Sequence, residues 1–350
     1  MKRLLLVKFT SLGDLIHALP AISDAHSAFP EMELDWVVDE NFQEIARWHP
    51  AVKNVFTTNH RKWREELFRP KTYLSLYSLA KSLRQTKYDL VIDGQGNFKT
   101  ALLTLLTRGV KVGFDKDSVR ERIAHYAYDR RAPASWQAHA IDRLRMLFAF
   151  ALGYPLPGTP PNFQIQQERF IKPAIDLPPS YLFFVHNASW ETKLWPEAHW
   201  IELIKEATSA GYQILLPWGS PGERERAVRL AISPQVTVLP RLSLSEIGYV
   251  IAQARACVCM DTGLSHLAAA LNVPALTLYG STDSGLIGAS GQNQLHLQSD
   301  LPCAPCQKKS CAYPSASLNP PCLARLTPER VFGQLQMLLK ENQLVAIGSK

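Results

Sequence analysis

The run Cys257-Val-Cys-Met-Asp-Thr-Gly-Leu-Ser-His266, continued by Leu-Ala-Ala-Ala-Leu-Asn-Val-Pro274, gathers groups that could hold a polyanion and the sugar attached to it. Its apolar first half has the pattern of a buried strand, Asp261 to Gly263 that of a tight turn, and Leu264 to Leu271 that of a helix. A helix starting there points N–H groups outward from the carboxyl edge of a parallel sheet, where a pyrophosphate can be held without a cationic side chain. Asp261 and His266 flank that spot. Blander roles fit the same residues, Asp261 as an N-cap and His266 as a hydrogen-bonded histidine on a helix face. Asp-Thr-Gly is also the catalytic triplet of aspartic proteases. One copy in strand–helix context does not make that site, which needs two copies or a small dimerising all-β chain.

Four of the six cysteines cluster as Cys303-Ala-Pro-Cys306, Cys311 and Cys322. CxxC is the usual half-site for structural zinc, while the spacing of the second pair is looser. In a reducing compartment the choice lies between a structural zinc on Cys303, Cys306, Cys311 and Cys322 and reduced thiols, rather than disulfides.

The elements that must position these groups are those of an ordinary globular chain. With 350 residues, 46% hydrophobic and 20% charged, two cores are expected. No apolar run approaches the ~20 residues of a membrane span. The start Met1-Lys-Arg-Leu-Leu-Leu-Val-Lys-Phe9 is too short and too soon charged for a signal peptide, so a cytoplasmic location is expected. A net charge of +7 and a pI near 9.0 favour an anionic partner, leaving nucleic acid, acidic membrane and phosphorylated metabolites open.

Arg3 to Phe9 has strand character, and Thr10 to Asp14 turns into a helix carrying Leu15, Ile16, Leu19 and Ile22 inward, with Pro20 as a possible kink. Strands are predicted at Leu34–Val38, around Val55, at Leu90–Asp93 and at Val110–Phe114, with helices between them, notably Thr72–Leu83 and Thr100–Leu106. The proline-rich stretch from Gly153 to Pro161, with Pro173, Pro178 and Pro179, suits a linker. A second alternating half starts at Tyr181–His186. It continues with a helix at Pro196–Ala210, a strand at Gln213–Pro217, a helix at Glu223–Ala231, a strand at Val236–Leu239 and a helix at Ser243–Ala254. This alternation predicts α/β architecture in two Rossmann-like, doubly wound domains, 1–165 and 175–350, facing a cleft, the second carrying a cysteine-bearing insertion at 300–323.

No GxGxxG opens either half, and Gly94-Gln-Gly96 is too short to argue for a dinucleotide. A Walker loop, a zincin motif and a serine-nucleophile elbow are also missing, which argues against dehydrogenase, kinase and hydrolase. What remains resembles the bacterial ADP-heptose:lipopolysaccharide heptosyltransferases. The resemblance rests on Lys8-Phe-Thr-Ser-Leu-Gly-Asp14 with His17 and Pro20, Asp35-Trp-Val-Val-Asp39-Glu40, Asp93-Gly-Gln-Gly96, Lys193-Leu-Trp-Pro196 with His199-Trp200, Leu216-Pro-Trp-Gly219 and Asp261-Thr-Gly-Leu-Ser-His266. It runs through nearly the whole chain in order and is greater to members that add the first heptose than to those that add the second. The cysteine-bearing insertion departs from the pattern of the former.

The resemblance implies a GT-B glycosyltransferase that binds acceptor on the first domain and nucleotide sugar on the second. The implied reaction is inverting transfer of L-glycero-D-manno-heptose from ADP-heptose to the inner Kdo of Kdo2-lipid A, with no metal needed for catalysis and with peripheral contact at the cytoplasmic face of the inner membrane. Such chemistry needs a base for the acceptor hydroxyl and cations or N–H donors for the leaving phosphate. Asp14 matches the family's catalytic base, although an N-cap role fits it too, and Lys193 matches its pyrophosphate-neutralising lysine. Asp261 is expected to meet sugar hydroxyls, the N–H groups of Thr262, Gly263 and Leu264 to cradle phosphates, His266 to support that loop and Glu223 to hold the ribose. His186, Asn187 and Ser189 border the same donor site. The stretch His60-Arg-Lys-Trp-Arg64 through Lys71 alternates cations with aromatics, so that Arg61, Lys62 and Arg64, with Arg120 and Arg122, suit a phosphorylated glycolipid acceptor or else a solvated helix face. A sugar-nucleotide epimerase of the same fold would share the nucleotide pocket without the lipid site. Nucleic acid is not expected as a partner, since the cations are dispersed over both domains and no RRM, KH or helix-turn-helix pattern occurs.

Overall fold

The structure, a computed structural model, describes residues 2–59, 62, 69–313 and 320–348. It divides into two compact units, Met1–Gln166 and Gln167–Lys350. In the first, among the described residues, β1 (Arg3–Val7), β2 (Glu33–Asp39), β3 (Val52–Thr58), β4 (Lys87–Asp93), β5 (Arg108–Phe114) and β6 (Arg130–Ala132) form one sheet in the order β3-β2-β1-β4-β5-β6. In the second, β7 (Tyr181–Val185), β8 (Gln213–Leu216), β9 (Val236–Val238), β10 (Ala256–Met260), β11 (Ala275–Tyr279) and β12 (Gln294–Gln298) stand in the order β12-β11-β10-β7-β8-β9. All pairings in both sheets are parallel.

Counted from its own first strand, each sheet has the 3-2-1-4-5-6 order of a doubly wound nucleotide-binding fold. The chain reverses its winding between β1 and β4 in one unit and between β7 and β10 in the other, and the carboxyl ends of the strands at such a reversal are where folds of this kind bind their ligands. The central strands are continuous apolar runs because helices cover both faces: Leu4 to Val7 and Ala256 to Met260 have no exposed surface. Pattern reading missed β6, β11 and β12. The first is short and at an edge, and the last two lie beyond the helix of the focal motif.

Pro20 does not kink a helix. It lies in the first turn of a separate helix, Leu19–Ala28, after a short one at Leu12–Ile16, where its missing N–H leaves no intrahelical bond unmade. The helix Ala140–Leu152 stops at Gly153, whose φ of 77° is the left-handed conformation that favours glycine. The proline-rich stretch beyond it is fastened to the first unit, with Arg145 donating to the Pro157 carbonyl at 3.2 Å and the Gln166 N–H to the Trp48 carbonyl at 3.0 Å.

In the second unit Trp195 and Trp200 are fully buried, edge to face at 5.1 Å, within a cluster that includes Leu182, Phe184, Val258 and Leu278. Trp195 Nε1 donates to the carbonyls of Leu323 (3.1 Å) and Leu326 (2.9 Å). Truncating such a side chain costs about 3–5 kcal/mol. Trp195 therefore anchors the loop after β7, two residues beyond Lys193.

Candidate active site

In the first unit Asp14 lies just past β1 on the helix Leu12–Ile16. It is not the N-cap. Ser11 holds that position, and Asp14 Oδ2 accepts from the Ser11 N–H (2.9 Å) and the Ser11 hydroxyl (2.8 Å). Burial pushes the Asp14 carboxyl up, but Lys8, the two Ser11 donors and Arg120 outweigh it and hold the group below its ordinary value. A carboxylate so placed is ionised at neutral pH and ready to accept a proton.

Lys8, not singled out beforehand as a site residue, is buried beside it and donates to the Gly94 carbonyl at 3.0 Å. Burial lowers its pKa, against the opposing pull of Asp14 and Asp93. The available signal was a lysine directly following the buried run Leu4–Val7, at a strand's carboxyl end.

Two other carboxylates at strand ends are committed elsewhere. Asp93 accepts from the N–H groups of Gln95 and Gly96, both at 2.9 Å, and from the Tyr128 hydroxyl at 2.8 Å, closing a turn in which Gly96 takes φ +69°. Burial raises the Asp93 pKa despite these donors. Asp39 Oδ1 accepts from the backbone and side chain of Asn41. Gln95 Oε1 accepts from the N–H groups of Phe9 (3.1 Å) and Thr10 (3.2 Å), so Gly94-Gln-Gly96 shapes the loop that leads to Asp14.

Of the expected acceptor cations, Arg120 is exposed and within electrostatic reach of Asp14 and Lys8. Arg122 instead pairs with Asp117 at 3.5 Å on the surface. Lys62 is exposed, and Arg61 and Arg64 lie outside the described residues.

In the second unit the β10 motif forms as expected, with the helix spanning Gly263–Ala270. Its N-cap is Thr262 rather than Asp261. Asp261 is buried, and its Oδ2 accepts from Lys193 Nζ and from the Thr282 hydroxyl, each at 2.6 Å, while His266 Nε2 stands 3.9 Å from Oδ1. The aspartate thus orients the lysine, a partnership across 68 residues that the sequence did not suggest. Thr282 went unnoticed altogether. The N–H groups of Gly263 and Leu264, at the first turn, have no upstream helical carbonyl to bind. A cation, a buried carboxylate and a helix start therefore converge at the end of β10, beside the point where winding reverses.

Lys193 Nζ also lies 4.6 Å from the centre of the Trp190 ring, and Lys309 Nζ lies 5.6 Å from the same ring. Lys309 comes from the cysteine-bearing segment, which is tied to this site by the Gln307 N–H to the Ser281 carbonyl (2.7 Å) and the Thr192 hydroxyl to the Lys308 carbonyl (2.6 Å).

Glu223 completes a capping box with Ser220: its Oε2 accepts from the N–H groups of Gly219 (2.6 Å) and Ser220 (3.2 Å). The box, Ser-x-x-Glu, was legible in the sequence. His186 is fully buried, and its Nε2 lies 3.1 Å from the Pro217 carbonyl and 3.3 Å from the Asn187 side-chain nitrogen, contacts that tie the end of β7 to the loops after β7 and β8. Burial, with Arg226 nearby, pushes its pKa down to about 4, so the ring is neutral. Asn187 is half-buried and Ser189 exposed in the loop that follows.

Cys303 is exposed, Cys306 and Cys311 are half-buried and Cys322 is buried, all with free thiols. Burial, with the three other thiols adding to it, pushes Cys322 up to about 11. Among the described residues no three His, Cys, Asp or Glu side chains are arranged to hold a metal ion.

Two doubly wound parallel sheets, one bearing a carboxylate at its switch point and the other a cation, carboxylate and helix start at the same place, define a GT-B glycosyltransferase. Residues 76–317 match Glycosyltransferase family 9 (heptosyltransferase). Lipopolysaccharide heptosyltransferase 1 of Pseudomonas aeruginosa is 46% identical over 96% of this chain and 98% of its own length. The structure of E. coli heptosyltransferase WaaC with ADP superposes with a TM-score of 0.85 at 39% identity, covering 96% of this chain and 99% of that one. That of the same E. coli protein with ADP-2-deoxy-2-fluoro heptose gives 0.81 at 38%, covering 97% and 99%. The chain belongs to glycosyltransferase family 9, the heptosyltransferases.

Proposed function

We propose that the chain transfers L-glycero-D-manno-heptose from ADP-heptose to the inner Kdo of Kdo2-lipid A, with inversion, in the assembly of the lipopolysaccharide core. The observation that carries this reading is the Lys193–Asp261–Thr282 set at the start of the helix Gly263–Ala270. It suits a sugar diphosphate, and it is joined by the likeness to structures described with ADP and a fluorinated ADP-heptose.

In this reading the Kdo hydroxyl oxygen attacks the anomeric carbon of heptose from the face opposite ADP. The bond from that carbon to the phosphate oxygen breaks, its electron pair leaves with ADP, and Asp14 takes the hydroxyl proton. Lys193 and the N–H groups of Gly263 and Leu264 stabilise charge growing on the phosphate, and Asp261 keeps Lys193 aimed. Glu223 holds the ribose with its remaining oxygen. A fixed lysine at the leaving group supplies what a Lewis-acid metal otherwise would, so turnover is expected to be unchanged by a chelator. Arg120, beside Asp14, is the cation best placed to meet an anionic acceptor.

Among the described residues no helix is long and apolar enough to cross a membrane. With a lipid acceptor, the working position of the chain is peripheral, at the cytoplasmic face of the inner membrane. The test is mass spectrometry of Kdo2-lipid A incubated with ADP-heptose and the protein. A single-heptose increase is the expected result. Reaction only with an already heptosylated acceptor would move the assignment to addition of the second heptose, and epimerised sugar from ADP-heptose alone would replace transfer by epimerisation.

A further inference from the structure

The helices Pro70–Gln85 and Phe98–Leu105 lie on one face of the first sheet. Leu79 and Leu83 from the former and Leu103 from the latter enter the same buried cluster as Leu5, Val7 and Val91. Arg84 Nη1 donates to the Leu106 carbonyl at 3.3 Å, which joins the end of one helix to the end of the other. Their inward faces are thereby accounted for.

The outward faces are apolar as well. On the first helix Leu74 and Tyr77 are each 67% exposed, and on the second Phe98, Leu102 and Leu105 are exposed at i, i+4 and i+7, a continuous stripe. A soluble helix ordinarily turns charge toward water at such positions. Neither helix contains a single Asp or Glu, whereas together they carry Lys71, Lys81, Arg84 and Lys99.

The stripe leads toward the proposed acceptor site. The Phe98 N–H donates to Glu121 Oε2 at 2.9 Å, and the Glu121 N–H donates to the Gly96 carbonyl at 3.0 Å, in the turn whose Gly94 carbonyl holds Lys8. Next to Glu121 the 3₁₀ turn Arg122–Ala127 presents Ile123 and Tyr126 to solvent, the latter 77% exposed.

We infer that this face of the first unit, centred on Leu74, Tyr77, Leu102 and Leu105, docks on an anionic lipid bilayer. Apolar side chains enter the interface between headgroups and acyl chains, while lysines and arginines without competing acids meet the lipid phosphates. The charge pattern of the two helices selects this occupant: neither helix offers an acid to a protein partner of mixed charge, and a second copy of the chain would set cation against cation. The inference rests on the lipid acceptor of the proposed function and adds the surface by which the enzyme reaches it, next to Arg120 and Asp14.

The test is flotation of the full-length chain with phosphatidylcholine vesicles, with and without about a quarter phosphatidylglycerol, with heptose transfer to a deacylated, water-soluble acceptor as a control. The parent should float with the anionic vesicles and stay behind with the neutral ones. Leu102→Ser/Leu105→Ser on one helix and, separately, Leu74→Ser/Tyr77→Ser on the other should each weaken vesicle binding about tenfold or more. Melting temperature and turnover of the soluble acceptor should remain those of the parent. Binding of both variants equal to the parent's would overturn the inference, as would a parent that ignores anionic vesicles. A parent that is dimeric and becomes monomeric through these substitutions would also overturn it, assigning the face to a second copy. Absence of transfer to the soluble acceptor would count against the proposed reaction alone, since flotation reads the surface independently.

Discussion

Replacing Asp14 by Asn separates proton acceptance from structure. In the protein Asp14 Oδ2 accepts two hydrogen bonds from Ser11, at 2.9 and 2.8 Å, and an amide oxygen in the same place can accept both. Ser11, not Asp14, is the N-cap, so the helix Leu12–Ile16 keeps its start. What disappears is the negative charge facing Lys8 and Arg120 and the capacity to take a proton. A positioned general base typically supplies ~10²–10⁴-fold of rate, so kcat is expected to fall by about that factor. The melting temperature should shift by no more than a few degrees, and the Michaelis constant for ADP-heptose should hardly move. The assay is steady-state heptose transfer at saturating donor, with thermal unfolding of the same preparation. A pH series adds a second readout. Because Lys8, the Ser11 donors and Arg120 together outweigh burial and hold the Asp14 pKa below its ordinary 3.8, the base form persists as pH falls, and kcat/KM should show no acid limb above about pH 5. Turnover of Asp14→Asn within a few-fold of the parent would refute the base assignment. So would an acid limb near pH 6–7 that this substitution abolishes, which would mean a carboxyl raised rather than lowered.

Asp261→Ala removes the acceptor shared by Lys193 and Thr282, so the Michaelis constant for ADP-heptose should rise while that for the lipid stays put; equal loss of both affinities would contradict the donor assignment. Lys309→Ala, which leaves Lys193 as the cation on Trp190, should raise the donor Michaelis constant about two- to five-fold without changing kcat, as a cation–π neighbour of modest worth would. His186 has a folded pKa of about 4, below its ordinary 6.5, so its neutral form is the stabilising one. That contribution is complete above pH 6.5 and is lost as pH falls toward 4. Urea unfolding should show about 2–3 kcal/mol lost between pH 7 and 4.5 in the parent, and His186→Gln should flatten that slope; parallel pH curves for the two proteins would refute it. Ellman's reagent should titrate the exposed Cys303 first, and the buried Cys257, Cys259 and Cys322 only on unfolding. If the zinc alternative raised by the CxxC spacing holds, one equivalent of zinc must slow Cys303, and an unchanged rate would leave the reduced thiols.

The sequence by itself determined what is local. Continuous apolar runs separated by helical periodicities specify two parallel sheets, because a strand covered on both faces cannot alternate. The strand–turn–helix around Asp261 was legible for the same reason: the turn and the helix start follow within a few residues of the strand, so chain order and spatial order coincide. Asp14, at the start of the helix that follows the first strand, is another such case, and the Ser220–Glu223 capping box lay there to be read. Only the tertiary structure decided which groups face one another across the sheet. Lys193 meets Asp261 because β7 and β10 are neighbours although far apart in sequence, and Thr282 joins them from the loop after β11. Lys8 becomes a buried cation because β4 lies beside β1 and offers the Gly94 carbonyl. His186 meets the Pro217 carbonyl because β8 pairs with β7. Composition likewise could not show that the apolar residues of the helices Pro70–Gln85 and Phe98–Leu105 exceed what the core takes in. A helix buries only one face against its sheet, and which residues are left outside depends on how that face is seated.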